Sequence, residues 1–562
     1  MAVAPQLNKV EILKQVKDGL DVLPDIYRYA ELNDIKAVTP DDMDRFKWYG
    51  LYHDKPKNGR FMMRVKVPGG IITSAQLDAV AELASTVATE RIELTTRQDI
   101  QLHGIELRSI PHIFETLDRV GLTTIAACGD IPRNIVSSPV AGIAADEWID
   151  PRPFITAVQR LYHNNREYSN LPRKYKTSIA GGPDDAAQSP INDLSLTPAY
   201  NTLDGQRTLG FNVIVGGGLS NEPHLADDID VWVPADEDAV VELCHHVTLL
   251  FRDHGYREKR THARLKFLLI DWGAERFRQE LEASIGRPLL RAGAEKPQAV
   301  YTGDFLGVHA QKQPGLFYVG LLVPTGRITP QQLHDLAQLA RTYGDCELRL
   351  TNNQNILITN VPQANIPALL RQPLLAELKP EAPTFQRHVV ACTALPYCNF
   401  ATIETKERAW QLAQHLDAAV PLDEPIRIHM SACPHSCAQH HIGDIGLQGG
   451  LARINGAKAE TADLLLGGAL GDGAQLARKI ALKVPWTELP DRLTQLVSAY
   501  KERRADSQSF NNWIGLHTDD ELRAYLGFEH EEAVGDGSGV WDGDDGWNRP
   551  ARAAKTTQTP AE

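Results

Sequence analysis

GRFMMRVKVPGGIITSAQLDAVAELAS, residues 59–85, and GLFYVGLLVPTGRITPQQLHDLAQLAR, residues 315–341, decide the fold, because they are one pattern written twice. Shifting the chain by 256 residues lays 59–102 on 315–358 without a gap. Phe61/Phe317, Pro68/Pro324, Gly70/Gly326, Gln76/Gln332, Leu77/Leu333, Leu94/Leu350, Gln98/Gln354 and Ile100/Ile356 are identical pairs in that register. Identities held at one constant spacing mark a duplication. Each copy opens on an alternating run, Met63, Val65, Val67 or Val319, Leu321, Val323, and breaks at Pro–x–Gly. Thr73 or Thr329 then caps a helix whose apolar face recurs at helical spacing, as in Leu77, Val80, Ala81 and Ala84. A second strand, 92–105 or 348–359, closes the unit.

Strand–helix–strand of this size is half of a ferredoxin-like unit, and two copies are expected to complete one shared sheet. A fainter repeat, offset by 251, sets Asp193, Leu196, Gly216, Gly217 and Leu219 on Asp444, Leu447, Gly467, Gly468 and Leu470. The expected fold class is therefore α+β and internally duplicated: two half ferredoxin-like units sharing a sheet, plus two larger α/β units. The boundaries read as an N-terminal arm at 1–52, half-units at 53–125 and 291–378, larger units at 126–290 and 379–528, and an acidic tail from 529 to 562 whose lost periodicity predicts disorder.

The 562 residues are 43% apolar and 23% charged, the balance of a globular chain with several cores. No run approaches the ~20 apolar residues a membrane-spanning helix needs. The N-terminal MAVAPQLNKVEILKQVKDG has no apolar signal segment, so a cytoplasmic location is expected. With 58 basic against 72 acidic residues, the net charge of −14 argues against a nucleic-acid partner but leaves room for a local basic pocket.

Of seven cysteines, four lie close together: Cys392-T-A-L-P-Y-Cys398, then Cys433-P-H-S-Cys437. In a large chain of this kind such a group signals metal or redox chemistry. Structural zinc sites use tight Cys knuckles on both sides, whereas the wide first gap here suits an iron–sulfur cluster, in which each thiolate reaches a different iron. Zinc is the alternative. Cys128, Cys244 and Cys346 read most simply as small buried hydrophobes. His429, His435, His440 and His441 resemble ligands by composition, but hydrogen-bonding roles are favoured because four cysteines already complete a cluster.

Cys-T-x4-Cys followed by A-Cys-P-x2-Cys-A and by HIGDIGLQG (441–449) resembles the siroheme-containing sulfite/nitrite reductase family, assimilatory and ferredoxin-dependent type. The resemblance covers about 45–528 and includes the duplicated half-units. It implies a 4Fe–4S cluster on Cys392, Cys398, Cys433 and Cys437, with Cys437 also the axial ligand of the siroheme iron. One departure is Ala394, where many relatives carry Gly.

Siroheme carries eight carboxylates and the substrates are anions, so such a site needs cations. TTRQDIQLHG (95–104) offers Arg97, with His103 nearby; ACGDIPRNIVSSPVAG (127–142) offers Arg133; LPRKYKTSIAGG (171–182) offers Arg173, Lys174 and Lys176. Alone, each reads as a surface charge. By resemblance, Arg97, Arg133, Lys174 and Lys176 are the substrate-contacting cations and proton sources. The repeat agrees, because Arg97 overlies Asn353, so the second copy lacks the charge. Gly216–Gly218 is either a backbone approach to a cofactor carboxylate or a tight turn.

The resemblance implies six-electron reduction of a small anion. No dinucleotide fingerprint or flavin module is present, so electrons come from a separate protein, and RFKWYGLYH (45–53) resembles ferredoxin-dependent members. The Lys-x-Lys pair favours sulfite, the more highly charged anion, with nitrite reduction to ammonia as the alternative. A non-catalytic iron–sulfur carrier is a remote third reading that leaves the cations unexplained.

Overall fold

The computed structural model describes residues 7–454 and 456–528, so the tail expected at 529–562 lies outside the described residues. The first copy supplies β1 (Leu51–His53), β2 (Arg60–Val65), β3 (Ile71–Thr73), β4 (Ile92–Leu94) and β5 (Ile100–Glu106). The first larger unit supplies β6 (Pro132–Val136), β7 (Tyr175–Ile179), β8 (Leu194–Leu203), β9 (Gln206–Val215) and β10 (Asp227–Pro234). The second copy supplies β11 (Gly307–Ala310), β12 (Leu316–Leu321), β13 (Arg327–Ile328), β14 (Glu347–Leu350) and β15 (Ile356–Pro362). The second larger unit supplies β16 (Val389–Ala391), β17 (Ile428–Ser431), β18 (Ile445–Ile454), β19 (Ala457–Leu466) and β20 (Arg478–Pro485).

The sharing between copies takes the form of strand exchange rather than one continuous sheet. One five-stranded sheet runs β1-β2-β5-β4-β13 and the other β11-β12-β15-β14-β3, so each is completed by a short strand from the opposite copy. The sheets cover a single apolar core drawn from both copies, including Phe61, Val65, Leu77 and Ile100 with Val319, Leu333, Leu336 and Ile356. The segments expected as second strands are hairpins, because Gln98 and Gln354 take the left-handed backbone at φ 57° and 64° and turn the chain.

Identities in the repeat have structural reasons. Gln76 and Gln332 complete capping boxes with Thr73 and Thr329 at the starts of the helices Ser74–Val87 and Pro330–Tyr343. Gln98 Nε2 donates to Leu350 O at 2.9 Å and Gln354 Nε2 to Leu94 O at 3.0 Å, a reciprocal pair across a pseudo-two-fold axis. Each amide oxygen then accepts an N–H from a larger unit, Ser137 at 3.1 Å and Ala391 at 3.1 Å. Gly70 has no room for a side chain: a Cβ there would stand 2.4 Å from Leu350 O.

Both larger sheets have the same order. β6, β7 and β8 run parallel before β9 and β10 turn antiparallel, and β16, β17 and β18 do so before β19 and β20. Gln188 and Gln439, 251 residues apart, bond each other through both amides, so the fainter repeat also closes on the axis. Each larger unit has its own core, one around Phe211, Val213 and Phe251, the other around Ile428, Leu447 and Leu464.

Candidate functional site

The cysteines gather where parallel strands end, the crevice that open α/β sheets offer to ligands. Cys392 directly follows β16, and Cys433 and Cys437 lie in the loop after β17, the neighbouring parallel strand. Ala432 N donates to Cys392 Sγ at 3.3 Å, the Phe400 and Ala401 amides donate to Cys398, and the His435 amide donates to Cys433. Burial and the neighbouring thiols push Cys392 up to about 12 and Cys398 up to about 11, and hold Cys433 well above the ordinary thiol range. Cys392, Cys398 and Cys433 are buried thiols, each reached by an amide N–H and kept from ionising by burial and by neighbouring thiols that include Cys437, and with Cys437 they form a donor set that a positively charged iron–sulfur core would stabilise.

The cations converge on the same crevice. Thr96, in the hairpin between β4 and β5, donates its hydroxyl to Cys437 O at 2.9 Å, tying the first copy to the cluster loop. Next in that hairpin, Arg97 donates to Asn192 Oδ1 at 2.8 Å and to Asn134 O at 2.6 Å, and burial pulls its pKa down to about 10. Arg133, in β6, is braced by Gly129 O at 3.0 and 2.5 Å and by Ala127 O at 3.1 Å. Lys174 precedes β7 and Lys176 lies in it, both half-buried on one side while Tyr175 packs into the core on the other. Burial, then Arg264 and Arg173, pulls Lys174 down to about 7. Burial, with Arg97, Lys174 and Arg264 beside it, holds Lys176 well below the usual lysine range. Arg173 lies beside Lys174 and 3.8 Å from Asp130.

Two cations of the pocket escaped the sequence reading. Arg64 in β2 faces Cys128, Asp99, Tyr52 and Cys437, so it looks onto the same cysteine as Lys174 does. Lys66, two residues on, is 1% exposed, has no hydrogen-bond partner for its amine, and is drawn down to about 8 by burial. The repeat carried the signal: Arg64 overlies Gly320 and Lys66 overlies Leu322, as Arg97 overlies Asn353.

The second larger unit shows the same positions without the charge pocket. By strand register, Ile135↔Thr177 corresponds to Val389↔Ile428, which sets Lys176 on Arg427 and Arg133 on Arg387. Arg427 turns back on Asp444 at 2.8 and 2.7 Å, and Arg387 is clamped by Asp304 at 3.0 and 2.7 Å. In the first unit Arg264 takes that inward role on Asp193, at 3.1 and 2.8 Å, which leaves the Lys176 amine facing the crevice.

Other expectations resolve locally. Cys128 and Cys244 are buried, but Cys346 is exposed, held at φ 76° in the turn between the helix Pro330–Tyr343 and β14, so it is no core residue. Cys128 is more than packing, since Tyr52 hydrogen-bonds it beside Arg64. Gly216–Gly218 is a packed turn: a Cβ on Gly217 would stand 2.4 Å from Pro190 O and one on Gly218 2.8 Å from Arg264 Nη2. His429 Nδ1 meets Ala438 O at 2.9 Å and His441 Nδ1 meets Ser436 Oγ at 3.0 Å, both hydrogen-bonding roles.

Residues 128–289 and 384–514 match the nitrite and sulphite reductase 4Fe-4S domain, and 53–120 and 309–376 match the nitrite/sulfite reductase ferredoxin-like half domain. The chain belongs to the nitrite and sulphite reductase family. As a reductase of this family it is an oxidoreductase whose cofactors are siroheme and a 4Fe–4S cluster. It is 44% identical to the ferredoxin–nitrite reductase of Synechococcus elongatus, over 88% of this chain and 97% of that one. It is 34% identical to a protein of Mycolicibacterium paratuberculosis named sulfite reductase [ferredoxin] 1, over 92% of this chain and 96% of that one. Among solved structures, the Mycobacterium tuberculosis NirA protein aligns with TM-score 0.86 at 34% identity, covering 92% of this chain and 98% of its own. Among the described residues of the reductase no helix is long and apolar enough to cross a membrane.

Proposed function

We propose that this chain reduces nitrite to ammonia, taking electrons from ferredoxin, with Cys392, Cys398, Cys433 and Cys437 holding the 4Fe–4S cluster and Cys437 also meeting the siroheme iron. The observation that carries the reading is the convergence of Arg64 and Lys174 on Cys437, with Arg133 and Lys176 next to Lys174. Nitrite is favoured over sulfite by the relatives: the one named ferredoxin–nitrite reductase stands at 44% identity and the one named sulfite reductase at 34%. The sequence preference for sulfite rested on Lys176 as an additional positive charge. That support weakens, because burial, with Arg97, Lys174 and Arg264 beside it, pulls the Lys176 amine well below the usual lysine range.

The chemistry that siroheme and the cluster supply when bound is the delivery of six electrons to the anion. The polypeptide does the rest. Arg64 and Arg133, both braced by backbone or amide oxygens, offset the charge of the anion and fix its orientation. Lys174, pulled to about 7, can lose and regain a proton near neutral pH, the property needed of a group that supplies protons repeatedly. Arg97, whose two terminal nitrogens donate to Asn192 and Asn134, orients the hairpin, and its unpartnered Nε would be the donor left for a cofactor carboxylate.

The test is a visible absorption spectrum of the purified protein followed by steady-state kinetics with reduced ferredoxin on each anion. Siroheme bands and a larger kcat/KM for nitrite than for sulfite are expected. A larger value for sulfite would reverse the substrate, and a colourless or purely iron–sulfur spectrum would remove the reading.

A further inference from the structure

A single row of side chains crosses four strands of the first sheet. Arg64 on β2 pairs with Gln101 on β5, Gln101 with Glu93 on β4, and Glu93 with Arg327 on β13, the strand lent by the second copy. Directly opposed residues share one face of a sheet, so these four lie side by side. The same row in the second sheet reads Gly320, Leu357, Arg349 and Ile71. The first copy has therefore filled with hydrogen-bonding groups a row that the second leaves largely apolar. Gln101 is 5% exposed and Glu93 1% exposed, so none of this can be ascribed to a solvated face.

The polarity of the row is forced by the chemistry of its members. A guanidinium only donates, and Arg64 Nε and Nη2 lie 3.1 and 2.7 Å from one atom of the Gln101 amide, which must be its oxygen. The other end is then the NH2, and it donates to Thr393 Oγ1 at 3.0 Å. With its oxygen accepting that hydrogen bond, the Thr393 hydroxyl turns its own hydrogen to the ionised Glu93 carboxylate, which can only accept. Arg327 Nε at 3.5 Å and the nearby Lys406 hold Glu93 in its ionised form. Thr393 is the residue after Cys392. The chain of donors thus runs from the anion pocket, through the sheet, into the loop of the first cluster cysteine, and ends on a buried anion.

We infer that Gln101 and Thr393 are positioning residues that aim Arg64 at the substrate anion and couple its position to the Cys392 loop, which rests on the functional reading given above. With one free end, the Arg64 side chain has many rotamers. Fastened to an amide that is itself locked by Thr393, it presents one orientation to the anion. Because the lock sits on the cysteine loop, correct seating of that loop and readiness of the pocket go together.

The experiment uses holoenzyme and two readouts, the optical perturbation on titrating oxidised enzyme with nitrite, and steady-state kinetics. Gln101→Leu, the residue of the second copy, and Thr393→Val should retain both cofactor absorbances while the Kd and KM for nitrite rise roughly tenfold and kcat changes less. Thr393→Ser keeps the hydroxyl that both accepts and donates, and should restore the original Kd. Equal weakening in Thr393→Ser and Thr393→Val would overturn the inference, as would an unchanged Kd in Thr393→Val. If wild-type enzyme gives no optical response to nitrite, the functional reading fails instead, which is distinguishable because no variant is then needed.

Discussion

Ala394 shows how one methyl registers in a cluster loop. Its φ of 51° is left-handed, and it is buried beside the cysteines. That conformation costs a non-glycine residue about 1 kcal/mol, which accounts in physical terms for glycine being the residue the motif ordinarily carries there. Ala394→Gly should raise the thermal midpoint of the holoprotein, a gain of about 0.5–1 kcal/mol, with cluster absorbance unchanged; a lower midpoint would mean that the methyl contributes more by packing than its backbone costs. Lys176 is the second residue with a sharp expectation. Lys176→Asn keeps a donor and removes an amine that burial and the neighbouring Arg97, Lys174 and Arg264 pull below the usual lysine range, so the ratio of kcat/KM for nitrite to that for sulfite should stay within about threefold of wild type. A tenfold shift toward nitrite would show that the amine is charged when the anion is bound. The grouping of the cysteines with Arg133, Lys174 and Lys176, on which the proposed roles rest, was legible in the sequence because motif and residue type coincide there. Arg64 and Lys66 were not, because two cations on an alternating strand read as its solvent face; only comparison with Gly320 and Leu322 in the repeat separates them from ordinary surface charge.

At the level of elements, the N-terminal helix Lys9–Val16 is fixed by charge rather than by its apolar face. Lys14, 7% exposed, reaches Glu11, Leu171 O and, at 3.9 Å, Asp130. Asp130, 3% exposed, also takes a two-pronged bond from Arg260 at 2.6 and 3.0 Å, and these cations hold its carboxyl well below the ordinary range against the opposing effect of burial. A folded-state pKa below the unfolded value contributes stability that is complete above the ordinary carboxylate range and declines as pH falls below about 4. Asp130→Asn should therefore cost about 3 kcal/mol near neutral pH, by leaving buried cations unpaired, and flatten the acid limb of the stability profile. An acid limb as steep as wild type would place the dependence on other carboxylates. Helix starts were legible, since Thr73 and Thr329 with Gln76 and Gln332 spell a capping box. The hairpins were not, because Thr95–Asp99 and Thr351–Asn355 carry no Gly or Pro, and the left-handed turn falls on a glutamine held there by its bond to the opposite copy.

Across the whole molecule the duplication was visible as a constant shift, while the strand exchange was not, since β3 and β13 hold three and two residues and leave no periodic trace. Exchange makes each half incomplete. Residues 1–290 and 291–528 expressed as separate chains should each leave a sheet edge unpaired and associate or precipitate, whereas expressed together they should assemble and recover cofactor absorbance; a well-behaved monomeric half would contradict this. The same exchange bears on how the protein is made. Among the described residues the outer edge of β4 is covered only by Arg327–Ile328, and β3 pairs only with Glu347–Arg349, so the first half-unit waits on residues encoded far downstream. At ribosomal rates of roughly 5–20 residues per second, that wait lasts on the order of 10–50 s, during which a nascent chain carries an open β edge. A polypeptide built this way needs its early half sheltered until its later half emerges, which makes a holding chaperone part of the conditions under which the active protein accumulates.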